Sequence, residues 1–266
     1  MACINYITGA SGFLGTHLME KIAPLNPDGS RFNTVTIPHQ EISHCKLQPF
    51  ENFFFLSAYG NMFDQKDEGK TIQANLLDLL YIMNQAREFN FKSFVYISTS
   101  SVTLPVQTTY SRTKKVAENV LLEYIKRFNF PIAIIRLFSM TGVGEQEEHL
   151  IPKLISSCMH DEKIDFVPEP CHDFVDIEDV VTGILYLSKN QKQGIFEIGN
   201  GRAYSNQEVL ELVQKCTGYD ANVRLVKSMR PYDLKKWKST KNQWFKKLKP
   251  RTLEQTITNM VKEHGD

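Results

Sequence analysis

Tyr110 and Lys114 stand four residues apart, a spacing that puts two side chains on one face of a helix. A free phenol titrates near ~10 and is a weak base at neutral pH. An ammonium beside it favours the phenolate and lowers that value. Such a pair can give and take a proton at a reacting oxygen. Thr99 closes the apolar run Ser93-Phe94-Val95-Tyr96-Ile97-Ser98, and its hydroxyl can bind the same oxygen. Taken alone, Tyr-x-x-x-Lys is more often an ordinary pair of helix neighbours. His149, His160 and His172 show no metal-ligand spacing such as H-E-x-x-H, and no metal site is expected.

A second constellation lies near the N-terminus. Thr8-Gly9-Ala10-Ser11-Gly12-Phe13-Leu14-Gly15 follows the apolar run Cys3–Ile7 and precedes a segment with Phe13, Leu14, Leu18 and Ile22 at helical spacing. The glycines therefore sit at a strand-to-helix turn, where backbone N–H groups and the helix dipole favour an anion. Gly9 allows the tight turn, Gly12 lets backbone approach a pyrophosphate, and Gly15 lets the helix pack close to its strand. The spacing, G-x-x-G-x-x-G, is one residue wider than the usual dinucleotide fingerprint. An oxidised nicotinamide held there is cationic and would lower the Tyr110 phenol further, and Lys114 could hold the nicotinamide ribose. In a dinucleotide fold, an acidic residue at the end of the second strand binds the adenosine ribose. That strand, Thr34–Ile37, ends here in Pro38-His39-Gln40-Glu41; no Asp is present and Glu41 is late, so NAD and NADP both remain open.

The elements that must position these groups read in order. Residues 42–51 are unpatterned, a loop in place of a helix and strand. Asn52–Ala58 is a continuous apolar run, as a buried parallel strand should be, and Phe53-Phe54-Phe55 is sheet core rather than an aromatic binding box. Helices are expected over 72–89 and 116–128, and strands over 93–98 and 131–137. Alternating strands and helices imply a parallel sheet covered on both faces. Beyond Thr141 the pattern changes: helices over 150–159 and 177–187, short extended pieces at 173–176 and 196–199, a capping box at Ser205-x-x-Glu208, and a last helix over 253–261.

Composition narrows the class. The chain has 266 residues, 42% hydrophobic and 23% charged, with a net charge of +1. That balance gives no overall pull toward nucleic acid or membrane. No run approaches the ~20 apolar residues of a membrane span, and the N-terminus enters the first strand with no room for a signal peptide. Five scattered cysteines without C-x-x-C pairing fit a reducing compartment, the cytoplasm. Residues 224–251 carry eleven Lys/Arg against one Asp, interleaved with Trp237, Trp244 and Phe245. They could form a nucleic-acid patch, but a solvated surface around a diphosphate-binding loop is favoured.

The ordered set of a glycine turn, a strand ending in Ser/Thr and Tyr-x-x-x-Lys resembles the short-chain dehydrogenase/reductase superfamily. It is most similar to the extended, NAD-dependent epimerase/dehydratase branch that modifies nucleotide sugars. The likeness runs along nearly the whole chain: Phe55-Leu56-Ser57-Ala58, Asn75, Phe94–Val102, Tyr110-Ser111-Arg112-Thr113-Lys114 with Glu118, Arg136–Gly142, Asp173–Val180, Arg230-Pro231-Tyr232-Asp233 and Leu248–Leu253. The resemblance implies a complete chain with a Rossmann-like doubly wound sheet over 1–141 and a smaller α/β substrate-binding region over 142–266. Part of that region, about 173–190, would pack back on the first domain.

It further implies Thr99, Tyr110 and Lys114 as catalytic residues. Gly9, Ser11, Gly12, Phe13, Leu14, Gly15, Ser57 and Ala58, with Tyr110 and Lys114, would bind NAD or NADP. Tyr59, Ser100, Ser139 and Arg230 would meet the substrate, and His172 stands where the family usually has Arg. Val116, Val120 and Leu121, with the helix from Ile72 to Ala86, could face a second subunit in a homodimer. The departures also carry information. In sugar 4,6-dehydratases an Asp-Glu pair follows the catalytic Thr; Ser100 and Ser101 stand in those places and cannot do that acid–base work. The implied reaction is at C4 of a nucleotide-activated sugar, by 4-keto reduction or 4-epimerisation. A non-catalytic dinucleotide sensor on the same fold is the alternative, and it is disfavoured because both Tyr110 and Lys114 are retained.

Overall fold

The structure is a computed structural model describing residues 4–22, 33–62, 64–227 and 237–264. β1 (Asn5–Thr8) ends at Gly9, whose φ of +71° lies in the left-handed region that suits glycine. α1 (Phe13–Ile22) follows, with Leu14, Leu18 and Met19 buried. β2 (Thr34–Ile37) runs parallel to β1 on one side, and β3 (Asn52–Phe55) parallel on the other. The strand order therefore reverses at β1, and the glycine turn sits at that switch point, where doubly wound sheets bind their ligands. Between β2 and β3 the chain makes a 3-10 turn, His39–His44, and then runs irregularly, and among the described residues no strand is added beyond β2.

A helical stretch follows in three pieces: α2 (Glu68–Ile72), a π-turn (Gln73–Leu77) and α3 (Asp78–Ala86). Then come β4 (Ser93–Thr99), α4 (Thr109–Phe128) and β5 (Ile132–Leu137). Thr108 caps α4 by accepting a bond from Ser111 N, and Asn129, at φ 53°, ends it. The helix thus starts seven residues before the apolar pattern at 116 and includes both Tyr110 and Lys114.

The remaining elements are β6 (Ser139–Thr141), α5 (Leu150–His160), β7 (Ile164–Phe166), β8 (Cys171–His172), β9 (Phe174–Asp176) and α6 (Ile177–Lys189). β10 (Gly194–Ile198), β11 (Tyr204–Ser205), α7 (Asn206–Thr217), β12 (Val223–Leu225), α8 (Gln243–Lys246) and α9 (Leu253–His264) complete the chain. The main sheet has six strands in the order β10-β5-β4-β3-β1-β2, and β3 pairs with β4 in parallel. The expected capping box is present in both halves at Ser205 and Glu208.

Two compact units divide the chain: Met1–Arg136 with Ile184–Phe196, and Leu137–Gly183 with Glu197–Asp266. The core of the first is aromatic. Phe53, Phe54 and Phe55 are all buried, and Phe53 stacks on Phe94 with ring centroids 5.0 Å apart. The second unit buries Leu154 and Ile155 of α5, Val209 and Val213 of α7, and Ile257 of α9. Arg251 ties its C-terminal end to Asp176 and Asp179. No described helix is long and apolar enough to cross a membrane.

Candidate active site

The glycine turn meets the demands of a dinucleotide cradle atom by atom. A Cβ on Gly9 would lie 2.9 Å from Ser57 N, and one on Gly15 would strike the Gly9 carbonyl oxygen and lie 2.7 Å from Ala10 backbone. Over Gly12 the nearest such contact is an ordinary 3.5 Å, so the space above it is open. The first-turn N–H groups of α1 have no intrahelical acceptor. Thr8 Oγ1 accepts from both Leu56 N and Ser57 N, which locks the end of β3 against the turn. The Ser57 hydroxyl is itself buried and has no partner among the described residues. A cleft of about 600 Å³ opens beside Gly9, Ala10 and Ser11 and extends to Thr36, Pro38, His39 and Gln40. An open glycine, an orphaned hydroxyl and a cleft at the switch point all fit a dinucleotide. Ser11 and Ala58 are exposed, Phe13 packs edge-on against His17 at 5.4 Å, and the Leu14 side chain is buried.

Lys114 is 1% exposed. Its Nζ donates to the Ile97 carbonyl across 2.8 Å, and lies 4.7 Å from the Tyr96 ring centroid and 5.9 Å from that of Tyr110. Burial pulls its ammonium down to about 7, opposed by the charge of Glu118. Glu118, one turn on, spends its carboxylate on a bidentate pair with Arg136 and a bond from Ser98. Burial also raises the half-buried Tyr110 phenol above its usual value. This reverses the direction expected from the sequence. Desolvation is the cause, and one of the Lys114 N–H groups is taken by the Ile97 carbonyl.

Thr99 caps the 3-10 turn Ser100–Thr103; its Oγ1 accepts from Ser101 N at 3.1 Å and lies 2.9 Å from Ser101 Oγ. Ser100 is 2% exposed, and the hydroxyl beside Thr99 Oγ1 is that of Ser101. Tyr59 is held by Asn75 of the π-turn: Asn75 Oδ1 accepts from Tyr59 N, and its Nδ2 donates to Tyr59 O and to Thr113 Oγ1. Asn75 thus joins the loop after β3 to the residue next to Lys114. Ser139 and His172 belong to the second unit, where Ser139 Oγ is 3.5 Å from His172 Nδ1 and the His172 ring is 6.2 Å from that of Trp237. Arg230 lies outside the described residues, as do Lys235 and Lys236 of the basic stretch. Leu121 is fully buried in its own core, which removes it from any outer face. Among the described residues no cluster of His, Cys, Asp and Glu could hold a metal ion.

The doubly wound sheet, with its glycine turn at the switch point, is that of the Rossmann-like α/β proteins. Within that class the chain belongs to the NAD dependent epimerase/dehydratase family, whose family model matches residues 5–199. The dTDP-D-glucose 4,6-dehydratase of Dictyostelium discoideum is 22% identical over 262 residues, 78% of this chain but only 60% of that protein's length. The UDP-glucose 4-epimerase of Lactobacillus helveticus is 26% identical over 269 residues, 80% of this chain and 82% of that one. Among solved structures, MoeE5 in complex with UDP-glucose and NAD superposes with a TM-score of 0.83 at 21% identity, covering 98% of each chain.

Proposed function

We propose that this chain is an NAD-dependent enzyme acting at C4 of a nucleotide-activated sugar, as a 4-epimerase or a 4-keto reductase. The observation that carries the reading is Lys114. Burying an ammonium without a carboxylate partner is costly, and the adjacent Glu118 is committed to Arg136. The packing of α4 on the sheet gives no reason for a lysine there; a proton-handling role beside Tyr110 does.

The bound nicotinamide would supply reversible hydride chemistry at the sugar carbon. The residues of this chain supply the rest. Tyr110 exchanges a proton with the C4 oxygen. Lys114, fixed by the Ile97 carbonyl, keeps two further N–H donors for the phenol and a ribose hydroxyl. Thr99 binds the reacting oxygen, oriented by Ser101. The glycine turn binds the pyrophosphate, with Ser57 as a further donor. The family also contains dehydratases, but water loss needs an acid and a base beyond the Thr. Ser100 and Ser101 supply neither, which disfavours dehydration.

The test is turnover of UDP- and dTDP-hexoses and their 4-keto forms with NAD or NADH. Tyr110→Phe should lower kcat by about 10²–10⁴-fold while cofactor binding persists. Unchanged turnover in Tyr110→Phe would remove the phenol from the chemistry.

Ile72, Leu77 and Val116 are exposed apolar side chains on the 68–86 helical stretch and α4, two elements packed against each other. We propose a homodimer through this face. Leu77→Glu with Val116→Glu should shift the sedimenting species to half its mass; an unshifted species would place the subunit contact elsewhere or show that there is none.

A further inference from the structure

Of the two tyrosine rings beside Lys114 Nζ, the nearer belongs to a residue the proposed chemistry does not use. The Tyr96 ring centroid lies 4.7 Å from Nζ, and that of Tyr110 lies 5.9 Å away. Tyr96 stands on β4 and is fully buried. Phe53 and Phe55 of β3 pair with Phe94 and Tyr96 of β4. Alternate residues of a strand share a face, so these four rings line one face of the sheet. Phe53 stacks on Phe94 at 5.0 Å, and Phe55 lies 5.9 Å from Tyr96 at a 39° tilt. Sheet packing accounts for three of the rings. The fourth is set against an ammonium.

The face of an aromatic ring is the negative pole of its quadrupole. A cation within about 6 Å of the centroid is attracted to it, and more strongly where water is excluded. Lys114 is buried, so solvent does not screen this contact. The titratable and charged groups around Nζ are few. Tyr96 faces it from β4, and Tyr110 and Glu118 share its helix. The Glu118 carboxylate accepts from Arg136 of β5, from Ser98 and from Lys115. The π-turn brings only the uncharged Asn75, whose carbonyl lies 3.4 Å from the Tyr96 hydroxyl, a long hydrogen bond. Burial pushes the Tyr96 phenol well above its usual value. Tyr96 therefore stays neutral and offers Lys114 a ring face, not a phenolate.

We infer that the Tyr96 ring holds the positive charge on Lys114, as a cation–π partner standing where a carboxylate would otherwise be needed. Tyr96 is a positioning residue, which acts on Tyr110 through Lys114. Its bearing on the reaction rests on the proton exchange proposed for Tyr110. A charged Lys114 favours the Tyr110 phenolate, and a neutral one does not.

The experiment varies the ring face at nearly constant shape. Tyr96→Phe keeps the face; the same phenylalanine carrying one or three ring fluorines drains it in steps. Each full-length, cofactor-free chain is unfolded in urea across about pH 5 to 9.5, beside its own Lys114→Met partner. The difference within each pair isolates the titration of Lys114. In wild type it should begin to rise near 7, where the buried ammonium gives up its proton. Tyr96→Phe should leave that onset within about 0.3 pH units of wild type. Three fluorines should move it down by about 0.4 to 1.5 units, and one fluorine by less. A ring that only fills the core would leave the onset where it was. An onset that stays in place or moves up across the fluorine series overturns the role of Tyr96. A wild-type difference that is flat with pH overturns the burial account of Lys114 and the role of Tyr96 with it. No turnover is needed, so failure of the proposed activity and failure at Tyr96 are separate results.

Discussion

Lys114 Nζ donates to the main-chain carbonyl of Ile97 across 2.8 Å, joining the first turns of α4 to the last residues of β4. The bond fixes the ammonium in a site that is 1% exposed and holds it beside two phenol rings. Placement and solvation thus come from the same contact. It sets where the charge sits, and the burial it imposes decides how readily the charge is given up.

The first prediction concerns stability against pH. Burial pulls the Lys114 ammonium down to about 7 in the folded chain, from an ordinary value of 10.5. Between those values the unfolded chain binds a proton that the folded chain does not, so stability rises with pH across that window. Below about 7 both states are protonated and the full cost is present. Lys114→Met should therefore be more stable than wild type at pH 6, on the order of 3–5 kcal/mol less any cost of the lost carbonyl bond. The gap should close toward pH 10. Urea unfolding of the cofactor-free chain at a series of pH values measures it; parallel profiles for the two proteins would refute it.

The glycines separate fold from binding. Gly12→Ala introduces only an ordinary 3.5 Å contact, so its stability should stay within about 1 kcal/mol of wild type. The new methyl stands where a pyrophosphate must approach, and NAD affinity should fall at least about tenfold. Gly15→Ala drives a Cβ into the backbone of Gly9 and Ala10, and should cost about 1–3 kcal/mol as well as affinity. Denaturant midpoints and NAD titrations of the two variants check the distinction, which is lost if both behave alike.

Ser57→Ala probes the orphaned hydroxyl at the end of β3. Removing a buried donor that has no protein partner should leave stability unchanged or raise it by about 1 kcal/mol. NAD affinity should fall by about three- to tenfold. Loss of stability with unchanged NAD affinity would make Ser57 a packing residue only.

The pair behind Lys114 is structural. Glu118 is fully buried, and Arg136 grips it through two bonds, of 2.9 and 2.8 Å. Burial alone would raise the Glu118 carboxyl, but the bonds from Arg136 and Ser98 outweigh it and hold it below the usual range. Its contribution is present above the ordinary carboxylate pKa and is lost as pH falls through the lowered one. Arg136→Met should cost about 3–5 kcal/mol, and Arg136→Met with Glu118→Leu should recover most of that. Chemical denaturation at pH 7 decides, and a double variant as weak as the single would contradict the account.

Much of this was legible in the sequence because the signals are local. Thr34–Ile37 reads as a strand from its residue types, and Ser205 and Glu208 announce a helix start by chemistry alone. Thr99, Tyr110 and Lys114 fall on the end of one strand and the first turns of the next helix, as their spacing implies. What was not legible depends on folding. The π-turn at Gln73–Leu77 leaves no mark in an apolar period, yet it carries Asn75 to the Tyr59 backbone. Burial, which sets the Tyr110 and Lys114 pKa values, cannot be read from a four-residue spacing.

The most direct measurement is equilibrium titration of the purified full chain with NAD, after denaturing a sample to identify any nucleotide it already carries. The account predicts saturable one-to-one binding, or NAD released on denaturation, with Gly12→Val binding none. A folded wild type that neither carries nor binds a nicotinamide dinucleotide would contradict it.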